Sequence, residues 1–370
     1  MAIAIEPYKE HLIPAVKSFN MRLGMGGVST EFRFPEHHIP QWLPKLTDRS
    51  LYQELFLALE NGSVHGGYIL KHQEFFVRGI PKQVAYYHLP LSEGVVNKRH
   101  ATVGVHMLRH ALREQPLLFA LGMGSFDRPL PRMLKSMGWS TCALPFYFRA
   151  NHPNRLLREL RALRNTAWRA RLLDLSALTG VGWLGLTVLQ NLRAGMAYTK
   201  TRAELIDEFS DWTDELLENC RNRYAMLARR DHENLNILYP PGSKFLRLRV
   251  TSRGKVVGWA VLLDTQMKNH RYFGNLRVGS IVDNLALPEN AVPVIAAANE
   301  FLSSRGADVI VSNQSHGVWC TALKMAGFLQ GPSNFIFAAS RALSGMLAPF
   351  AVNCAEIHFN RGDGDGPINL

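Results

Sequence analysis

The feature that most constrains the fold of this chain is an internal repeat, which places similar short motifs in the same order in its two halves. Each half has a glycine-containing hairpin turn, then small residues at the start of the returning strand, and later a helical pattern that ends in Gly-Trp or Gly-Phe. The matching segments are 60–63 with 252–255, 66–68 with 258–260, and 134–139 with 323–328. A repeat of this kind predicts two copies of one structural unit.

Each copy is predicted to form a mixed, mostly antiparallel sheet that is flanked by helices. In the first half, Asn61-Gly62 is the strongest short hairpin signal and joins the strand patterns 55–60 and 64–70. A further strand pattern covers 83–89, and a helical pattern follows the turn after it. The predicted fold class is therefore α+β, with two domains of the same type.

Composition and pattern together predict four regions along the chain. The regions are a first domain at 1–150, a basic helical connector at 151–200, a second domain at 201–345 and a tail at 346–370. Within the second domain, the segment 201–228 is predicted as one helix, and the segment 334–339 is predicted as its closing strand.

The stretch from residue 83 to 108 carries the strongest functional signal. Its strand pattern stops at Pro90, and the segment 98–104, KRHATVG, then opens a helix. The first N–H groups of a helix have no partner inside it, and together with the helix dipole they favour a phosphate. Lys98 and Arg99 would add positive charge. An ordinary capped connection between a strand and a helix is the alternative, and it stays open.

Residues 1–150 resemble the acyl-CoA N-acyltransferases of the GNAT superfamily, and the repeat makes the whole chain resemble a tandem protein of that type. The motifs are the NG hairpin with GGYIL, the strand ending in LP, the turn KRHATVG, the strand LLFALGM and the ending LPRMLKSMGW. In that family, a turn of the form Arg/Gln-x-x-Gly-x-Gly/Ala binds the pyrophosphate of acyl-CoA through backbone N–H groups. The matching segment is 99–104, in which Thr102 replaces the middle glycine.

The resemblance implies that acyl-CoA is the co-substrate and that no metal is needed. The residues that it assigns to the acyl donor are Leu89, Arg99, Ala101, Thr102, Val103 and Gly104. Leu89 would act through its backbone N–H, which would polarise the thioester carbonyl. Family members often protonate the leaving thiolate with a tyrosine, and Leu134 stands at that position here. The four cysteines form no CxxC pair, so they give no zinc-site pattern.

An acyltransferase must also deprotonate its acceptor, and several side chains are candidates for the general base. His88 and His100 are the titratable groups nearest the turn, while Glu31 and His37 could approach from the loop after the first helix. Histidine is a common surface residue as well as a common base, so a structural role for each remains open.

The formal net charge of +12 indicates an anionic partner, such as a phosphorylated cofactor, RNA or an anionic membrane surface. Part of this excess lies at 151–200, where an arginine-rich amphipathic pattern precedes the uncharged stretch 175–192. The segment 155–192 could lie on an anionic membrane. The alternative is a connector whose apolar face packs between the domains.

The second copy lacks the phosphate turn. Its corresponding segment, 287–292, has no glycine and carries Glu289, so a phosphate is disfavoured. We expect this copy either to shape the acceptor site or to be structural. Asp283, on a predicted central strand, would need a partner when buried. The segment 361–366 resembles the start of a calcium loop without its later glutamate, so it predicts a flexible tail or a cap on the second domain.

The leading functional hypothesis is an acyltransferase that modifies an amine or hydroxyl of a cell-envelope, polysaccharide or secondary-metabolite intermediate. The acceptor would be a small molecule or a glycan-type compound. One alternative is a transferase similar to the FemAB group, which would use aminoacyl-tRNA. Another is a non-catalytic, membrane-associated scaffold. The N-terminus has no apolar signal-peptide core, so we expect a cytoplasmic protein, with peripheral attachment to the inner face of the membrane as an option.

Overall fold

The computed structural model describes residues 3–159, 190, 201–333 and 335–364 of the chain. They fall into two compact units, and each unit is assembled from two stretches of sequence. The first unit comprises Met1–Ala143 and Ile336–Ala351, and the second comprises Leu144–Phe335 and Val352–Leu370. Most of the predicted connector, including the stretch 175–192, lies outside the described residues. None of the described helices has the length and apolar character that a membrane crossing requires.

The described chain forms sixteen strands and ten α-helices. The strands are β1 (Ala4–Pro7), β2 (Tyr52–Glu60), β3 (Ser63–Val77), β4 (Ile80–Ser92), β5 (Leu118–Leu121), β6 (Ser140–Ala143), β7 (Phe146–Ala150), β8 (Thr201–Ile206), β9 (Met226–Ala228), β10 (Leu246–Ser252), β11 (Lys255–Gln266), β12 (Arg277–Ala286), β13 (Val309–Asn313), β14 (Leu329–Gly331), β15 (Ile336–Ala339) and β16 (Ile357–His358). The helices are α1 (Ile13–Met25), α2 (Val103–Glu114), α3 (Pro129–Ser136), α4 (Pro153–Glu159), α5 (Trp212–Cys220), α6 (His232–Leu238), α7 (Ala291–Ser304), α8 (Gly317–Met325), α9 (Arg341–Met346) and α10 (Phe350–Asn353).

The first unit is built on a sheet in the order β1-β2-β3-β4-β5-β15-β6. β4 and β5 are parallel, and the other neighbouring strands in this order are antiparallel. The turn between β2 and β3 is formed by Asn61 and Gly62, whose φ angles are 50° and 75°. Positive φ at both positions is the geometry that Asn-Gly favours, so the hairpin prediction is confirmed.

Helices cover both faces of this sheet. α2 packs on one face, where Val103 and Met107 are fully buried with Tyr68 of β3. α1 packs on the other face, where Phe19 is buried with Ile69. Tyr68 and Ile69 are neighbours in the strand and therefore point to opposite faces. Two apolar layers thus hold the central strands in place.

The second unit repeats this architecture, as the internal repeat predicts. Its sheet has the order β14-β7-β13-β12-β11-β10-β8, in which only β12 and β13 pair in parallel among the described strands of this order. The β10–β11 hairpin turns at Arg253 and Gly254 with φ angles of 51° and 79°, close to those of the first hairpin. α7 follows β12 as α2 follows β4. The predicted fold class, with two mixed sheets flanked by helices, is confirmed.

The prediction of a single helix over 201–228 is wrong. Thr201–Ile206 forms β8 and pairs antiparallel with β10, and Trp212–Cys220 forms the short helix α5. β8 is the last strand in its sheet order, and two of its exposed residues, Arg202 and Glu204, are charged. An edge strand needs few apolar residues, so this one has a weak sequence signal.

Two strands join the sheet that is mainly built from the other half of the chain. β7 lies within the predicted first domain, but it pairs with β13 and β14. β15 lies within the predicted second domain, but it is inserted between β5 and β6. The observed units therefore differ from the predicted boundaries 1–150 and 201–345. Alternation of apolar residues identifies a strand without identifying its partner, so the exchange could not be read from the sequence.

The insertion of β15 between β5 and β6 predicts that residues 1–143 are unstable alone. Without β15, each of these two strands would lose a neighbouring strand. Ala143 lies opposite Ile336 in antiparallel register, so an Asn-Gly turn can join β6 to β15 as a hairpin. We expect a single-chain variant in which Asn-Gly joins 1–143 to 336–351 to unfold cooperatively in urea, followed by circular dichroism. Cooperative unfolding of residues 1–143 without 336–351 would show that β15 is dispensable.

Candidate functional site

The candidate site lies where β4 and β5 of the first unit stop pairing. Their parallel ladder has two residue pairs and ends at Tyr86 opposite Phe119. β4 itself continues to Ser92 and stays paired with β3. The two parallel strands therefore diverge towards the carboxyl end of β4. In open sheets with parallel strands, ligands commonly bind at the carboxyl ends of the strands.

A bulge at Leu89 interrupts β4 just beyond this point. The register changes between Gly67 and Ile69 of β3, so two residues of β4 oppose one residue of β3. Leu89 has a φ of 45°, a left-handed conformation that costs a residue with a side chain about 1–3 kcal/mol. Backbone strain of this kind clusters at ligand sites. Leu89 lies outside the register of the ladder, whose nearest pairs are Ile69 with His88 and Gly67 with Leu91.

Two short 3-10 turns connect the bulged strand to α2. They are Glu93–Val95 and Lys98–His100. The side chain of Asn97 accepts a hydrogen bond from the N–H of Arg99 at 3.1 Å, which fixes the second turn. A Cβ atom on Gly94 would lie 2.6 Å from the carbonyl oxygen of His100, so a glycine is needed for the two turns to pack together.

The helix that follows begins without a side-chain cap. Thr102 occupies the N-cap position but makes no capping hydrogen bond. The first N–H groups of α2, on Val103 and Gly104, have no acceptor one turn back within the helix. A Cβ on Gly104 would meet Met133 Sδ at 3.5 Å and Ser92 Cβ at 4.0 Å, which are ordinary van der Waals contacts. The N–H groups at this end of the helix and the helix dipole favour an anion.

The predicted donor-binding residues of the turn share one short segment but differ in exposure. The exposed residues are Arg99, Ala101 and Thr102. Gly104 is half-buried, and Val103 is buried. Because the side chain of Val103 is part of the core, only its backbone N–H could serve a ligand. Arg99 can add a charge at the surface of the turn.

A cluster of ionisable side chains lies at the inner side of the turn. The imidazole rings of His65 and His100 are stacked with their centroids 3.9 Å apart. His65 Nδ1 lies 2.8 Å from Glu93 Oε2, and His100 Nδ1 lies 3.9 Å from Glu60 Oε2. Arg22 donates two hydrogen bonds to Glu93, at 3.0 and 2.9 Å. Burial alone would raise the pKa of Glu93, but the hydrogen bonds from Arg22 and His65 outweigh it and lower that pKa.

The four candidate bases lie on three separate stretches of the chain, and His37 is exposed in the same loop as Glu31. His88 is half-buried on β4 directly before Leu89, and its ring centroid is 5.0 Å from that of Tyr86. His100 is 8% exposed and belongs to the ionisable cluster. Glu31 is exposed in the loop between α1 and β2. His88 is therefore the candidate that adjoins the bulge.

In the second unit, the chain's own C-terminal segment lies where the corresponding parallel strands diverge. The ladder of β12 with β13 ends at Ile281. Beyond it, the N–H of Ser315 donates to the carbonyl of Phe359 at 3.0 Å, and the N–H of Phe359 donates to Ser315 Oγ at 2.7 Å. Asn360 forms a β-bridge with Gln314. The segment therefore lies at the strand divergence of the second unit. The corresponding divergence of the first unit is bordered by the bulge and the turn.

Asp283 of β12 anchors this segment. Its carboxylate accepts hydrogen bonds from Asn360 Nδ2 at 2.8 Å, the Tyr239 hydroxyl at 2.7 Å and Arg230 Nε at 2.7 Å. Arg230 is 2% exposed and also donates to Asp363 at 2.8 Å. Burial alone would lower the pKa of Arg230, but the carboxylates of Asp283 and Asp363 outweigh it and raise that pKa. Asp283 therefore belongs to a buried network.

Of the predicted tail, residues 346–351 belong to the first unit and residues 352–364 belong to the second. Gly362 and Asp363, from the motif that resembles a calcium loop, take part in the Asp283 network instead. The short turn before α7 carries Glu289, which pairs with Arg223 at 3.2 Å. The second unit therefore has an occupied strand divergence and an acidic turn, and both features disfavour an acyl donor.

Comparison with solved structures finds the same fold in N-acyltransferases. A GCN5-related N-acetyltransferase from Anabaena variabilis has a TM-score of 0.51 and 9% identity, over 91% of this chain and 72% of its own. A probable N-acyltransferase from Enterococcus faecalis has a TM-score of 0.51 and 10% identity, over 94% and 75%. The N-myristoyltransferase of Saccharomyces cerevisiae with bound myristoyl-CoA has a TM-score of 0.52 and 11% identity, over 91% and 78%. Neither a protein-family model nor a curated protein matches the sequence.

These likenesses show that the chain has a tandem GNAT-type fold. The identities are too low to carry more than the fold.

The Asp283 network predicts that Gly362 tolerates no side chain. A Cβ there would lie 2.6 Å from Asp283 Oδ2 and would also collide with the Tyr239 hydroxyl. We expect Gly362→Ala to lower the free energy of unfolding by about 1–3 kcal/mol in urea titrations. The matched control is Gly345→Ala in α9, where a Cβ meets nothing within 4 Å. Equal effects of the two changes would show that the network does not anchor the C-terminal segment.

A second prediction concerns pH. His358 of β16 is buried, and that burial lowers its pKa to about 3. The unfolded state, with a histidine pKa of about 6.5, takes up the proton first as the pH falls. The contribution of neutral His358 to the free energy of unfolding is therefore complete above about pH 6.5. Below that pH it falls by about 1.4 kcal/mol per pH unit.

Urea titrations across this pH range, on the wild type and on His358→Gln, measure the effect. We expect the variant to lose less stability on acidification than the wild type. His232→Gln is the control, because the hydrogen bond that His232 donates to the Asp214 carboxylate raises the pKa of His232, so its protonation does not oppose folding. An unchanged pH dependence in His358→Gln would contradict the prediction.

Proposed function

We propose that this protein transfers an acyl group from acyl-CoA to an amine or hydroxyl acceptor, and that the first unit holds the acyl donor. The supporting observation is the strained bulge at Leu89, which lies between the end of the β4–β5 ladder and the uncapped start of α2. The fold shared with N-acyltransferases supports the same reaction class. In the yeast N-myristoyltransferase structure, the bound molecule is myristoyl-CoA.

The turn would hold the phosphates of the donor. The N–H groups of Val103 and Gly104 lie at the positive end of the α2 dipole, which favours an anion, whereas the N–H of Ala101 donates to the carbonyl of Lys98 at 3.2 Å. Arg99, exposed on the same turn, would add a charge-assisted hydrogen bond. Thr102, which stands where the resembled family has a glycine, presents an exposed side chain and could donate through its hydroxyl.

The chemical step would take place at the bulge. The N–H of Leu89 would donate to the thioester carbonyl, whose oxygen gains negative charge as the acceptor attacks. The new bond forms between the acceptor nitrogen or oxygen and the acyl carbon, and the carbon–sulfur bond then breaks. Leu134 is fully buried and has no proton to give, so the sulfur leaves as a thiolate. A thiol pKa of about 8–9 allows this near neutral pH.

His88 is the residue that we propose as the general base. It directly precedes Leu89 on the bulged strand, so it lies closest in sequence to the proposed site of attack. His100 and Glu31 remain alternative bases, although His100 is buried in the cluster with His65. Neutral imidazole would accept the proton that the acceptor loses on attack.

The proposed acceptor is a small-molecule or glycan-type intermediate of cell-envelope, polysaccharide or secondary metabolism. The net charge of +12 suits an anionic donor or acceptor but does not identify it. Aminoacyl-tRNA and an anionic membrane are the alternative partners, and the membrane hypothesis rests on 155–192, most of which lies outside the described residues.

Calorimetric titration with acetyl-CoA and with longer acyl-CoAs tests the proposal. We expect micromolar binding by the wild type and none by Arg99→Ala combined with Gly104→Glu, since the new carboxylate would repel phosphate at the helix start. Arg99→Ala alone should weaken binding about tenfold or more, because a hydrogen bond to a charged group contributes about 1.5–3 kcal/mol.

The control for charge is Arg113→Ala, an exposed arginine in the last turn of the same helix. It should leave the affinity for acyl-CoA within about twofold, because the dipole effect falls off within a turn of the helix end. If the wild type binds no acyl-CoA, the proposal fails, and titration with tRNA and with anionic vesicles would then decide between the alternatives.

A further inference from the structure

The cluster at the inner side of the turn contains three potential metal ligands that the sequence analysis did not group. Glu60 ends β2, His65 lies near the start of β3, and His100 belongs to the second 3-10 turn. One ligand atom from each lies within 4.8 Å of the ligand atoms of the other two. Glu60 and His65 are half-buried, and His100 is buried, so water competes weakly for these ligands.

We propose that Glu60, His65 and His100 form a binding site for a divalent transition metal, with zinc as the best match. Two imidazoles and one carboxylate are a known zinc ligand set, whereas calcium and magnesium prefer oxygen ligands alone. Three protein ligands leave the fourth tetrahedral position open to water or to another ligand.

The surroundings of His65 are those of a metal ligand. Its Nδ1 lies 2.8 Å from Glu93 Oε2, which orients the ring and leaves Nε2 as the other nitrogen. Two hydrogen bonds from Arg22 hold Glu93 in turn. The Glu93 carboxylate accepts the hydrogen bond from Nδ1–H, which fixes the tautomer and strengthens His65 as a ligand.

Metal binding requires one local movement. Zinc lies about 2.0–2.2 Å from nitrogen and oxygen ligands, so the three ligand atoms must come closer together than they are. The rings of His65 and His100 are nearly parallel, at 16°, and their in-plane lone pairs cannot both point at one ion. His65 is held by Glu93, so His100 is the ring that turns. The outer torsion of histidine has a broad distribution, so a rotation about it can aim a ring nitrogen of His100 at the ion.

Titration of the metal-free full-length protein with Zn²⁺ by calorimetry, and with Co²⁺ by visible absorption, tests the site. No acyl-CoA is present, so the result does not depend on the proposed transferase function. We expect one ion per chain and tetrahedral Co²⁺ bands. Glu60→Gln, His65→Gln and His100→Gln should each weaken Zn²⁺ binding by more than tenfold, and Glu93→Gln should weaken it about 10–100-fold through the orientation of His65.

His106→Gln is the matched control, because His106 is exposed on α2 close to the turn in sequence. It should leave the affinity unchanged. Circular dichroism of each variant without metal establishes that it is folded, and Glu60→Gln, which keeps the side-chain shape, gives the safest comparison. The proposal is overturned if the wild type binds no Zn²⁺, if the ligand variants bind as tightly as the wild type, or if changing His37 and His38 to glutamine abolishes binding.

Discussion

The parallel pairing of β4 with β5 ends after two residue pairs, and the candidate site depends on this early end. A longer ladder would engage the backbone of β4 beyond Tyr86 with β5. Because the ladder stops, the bulge at Leu89 and the start of α2 both lie next to the divergence. The left-handed conformation of Leu89 costs about 1–3 kcal/mol, and it persists because apolar layers under α1 and α2 hold β4 on both faces.

The two units show how one fold can give a candidate ligand site in one copy and an internal anchor in the other. In the second unit, Asp283 presents a buried carboxylate beside the divergence, and the segment around Asn360 satisfies it. An unpaired charge there would be strongly destabilising, so the segment is held firmly. In the first unit, the corresponding region has backbone donors and an exposed arginine. Side chains at the divergence, rather than the sheet itself, therefore determine what occupies it.

Negative charge near the turn must be balanced if the turn is to attract a phosphate. Glu93 and Glu60 lie on its inner side, where carboxylates alone would oppose an anion. Arg22 offsets Glu93 through two hydrogen bonds. A cation bound by Glu60 and the two histidines would offset the other carboxylate. The proposed metal would thus favour an anion at the turn, and by linkage the anion would favour the metal.

The sequence by itself determined the repeated α+β architecture, the Asn61-Gly62 hairpin and the position of the turn at 98–104, because local backbone preferences and apolar periodicity suffice for these features. Only the tertiary structure decided which sheet β7 and β15 join, how the C-terminal segment fills the second divergence, and that Glu60, His65 and His100 meet. Each of these depends on contacts between residues far apart in the chain. Such contacts are selected by the packing of the whole unit, which no local pattern records.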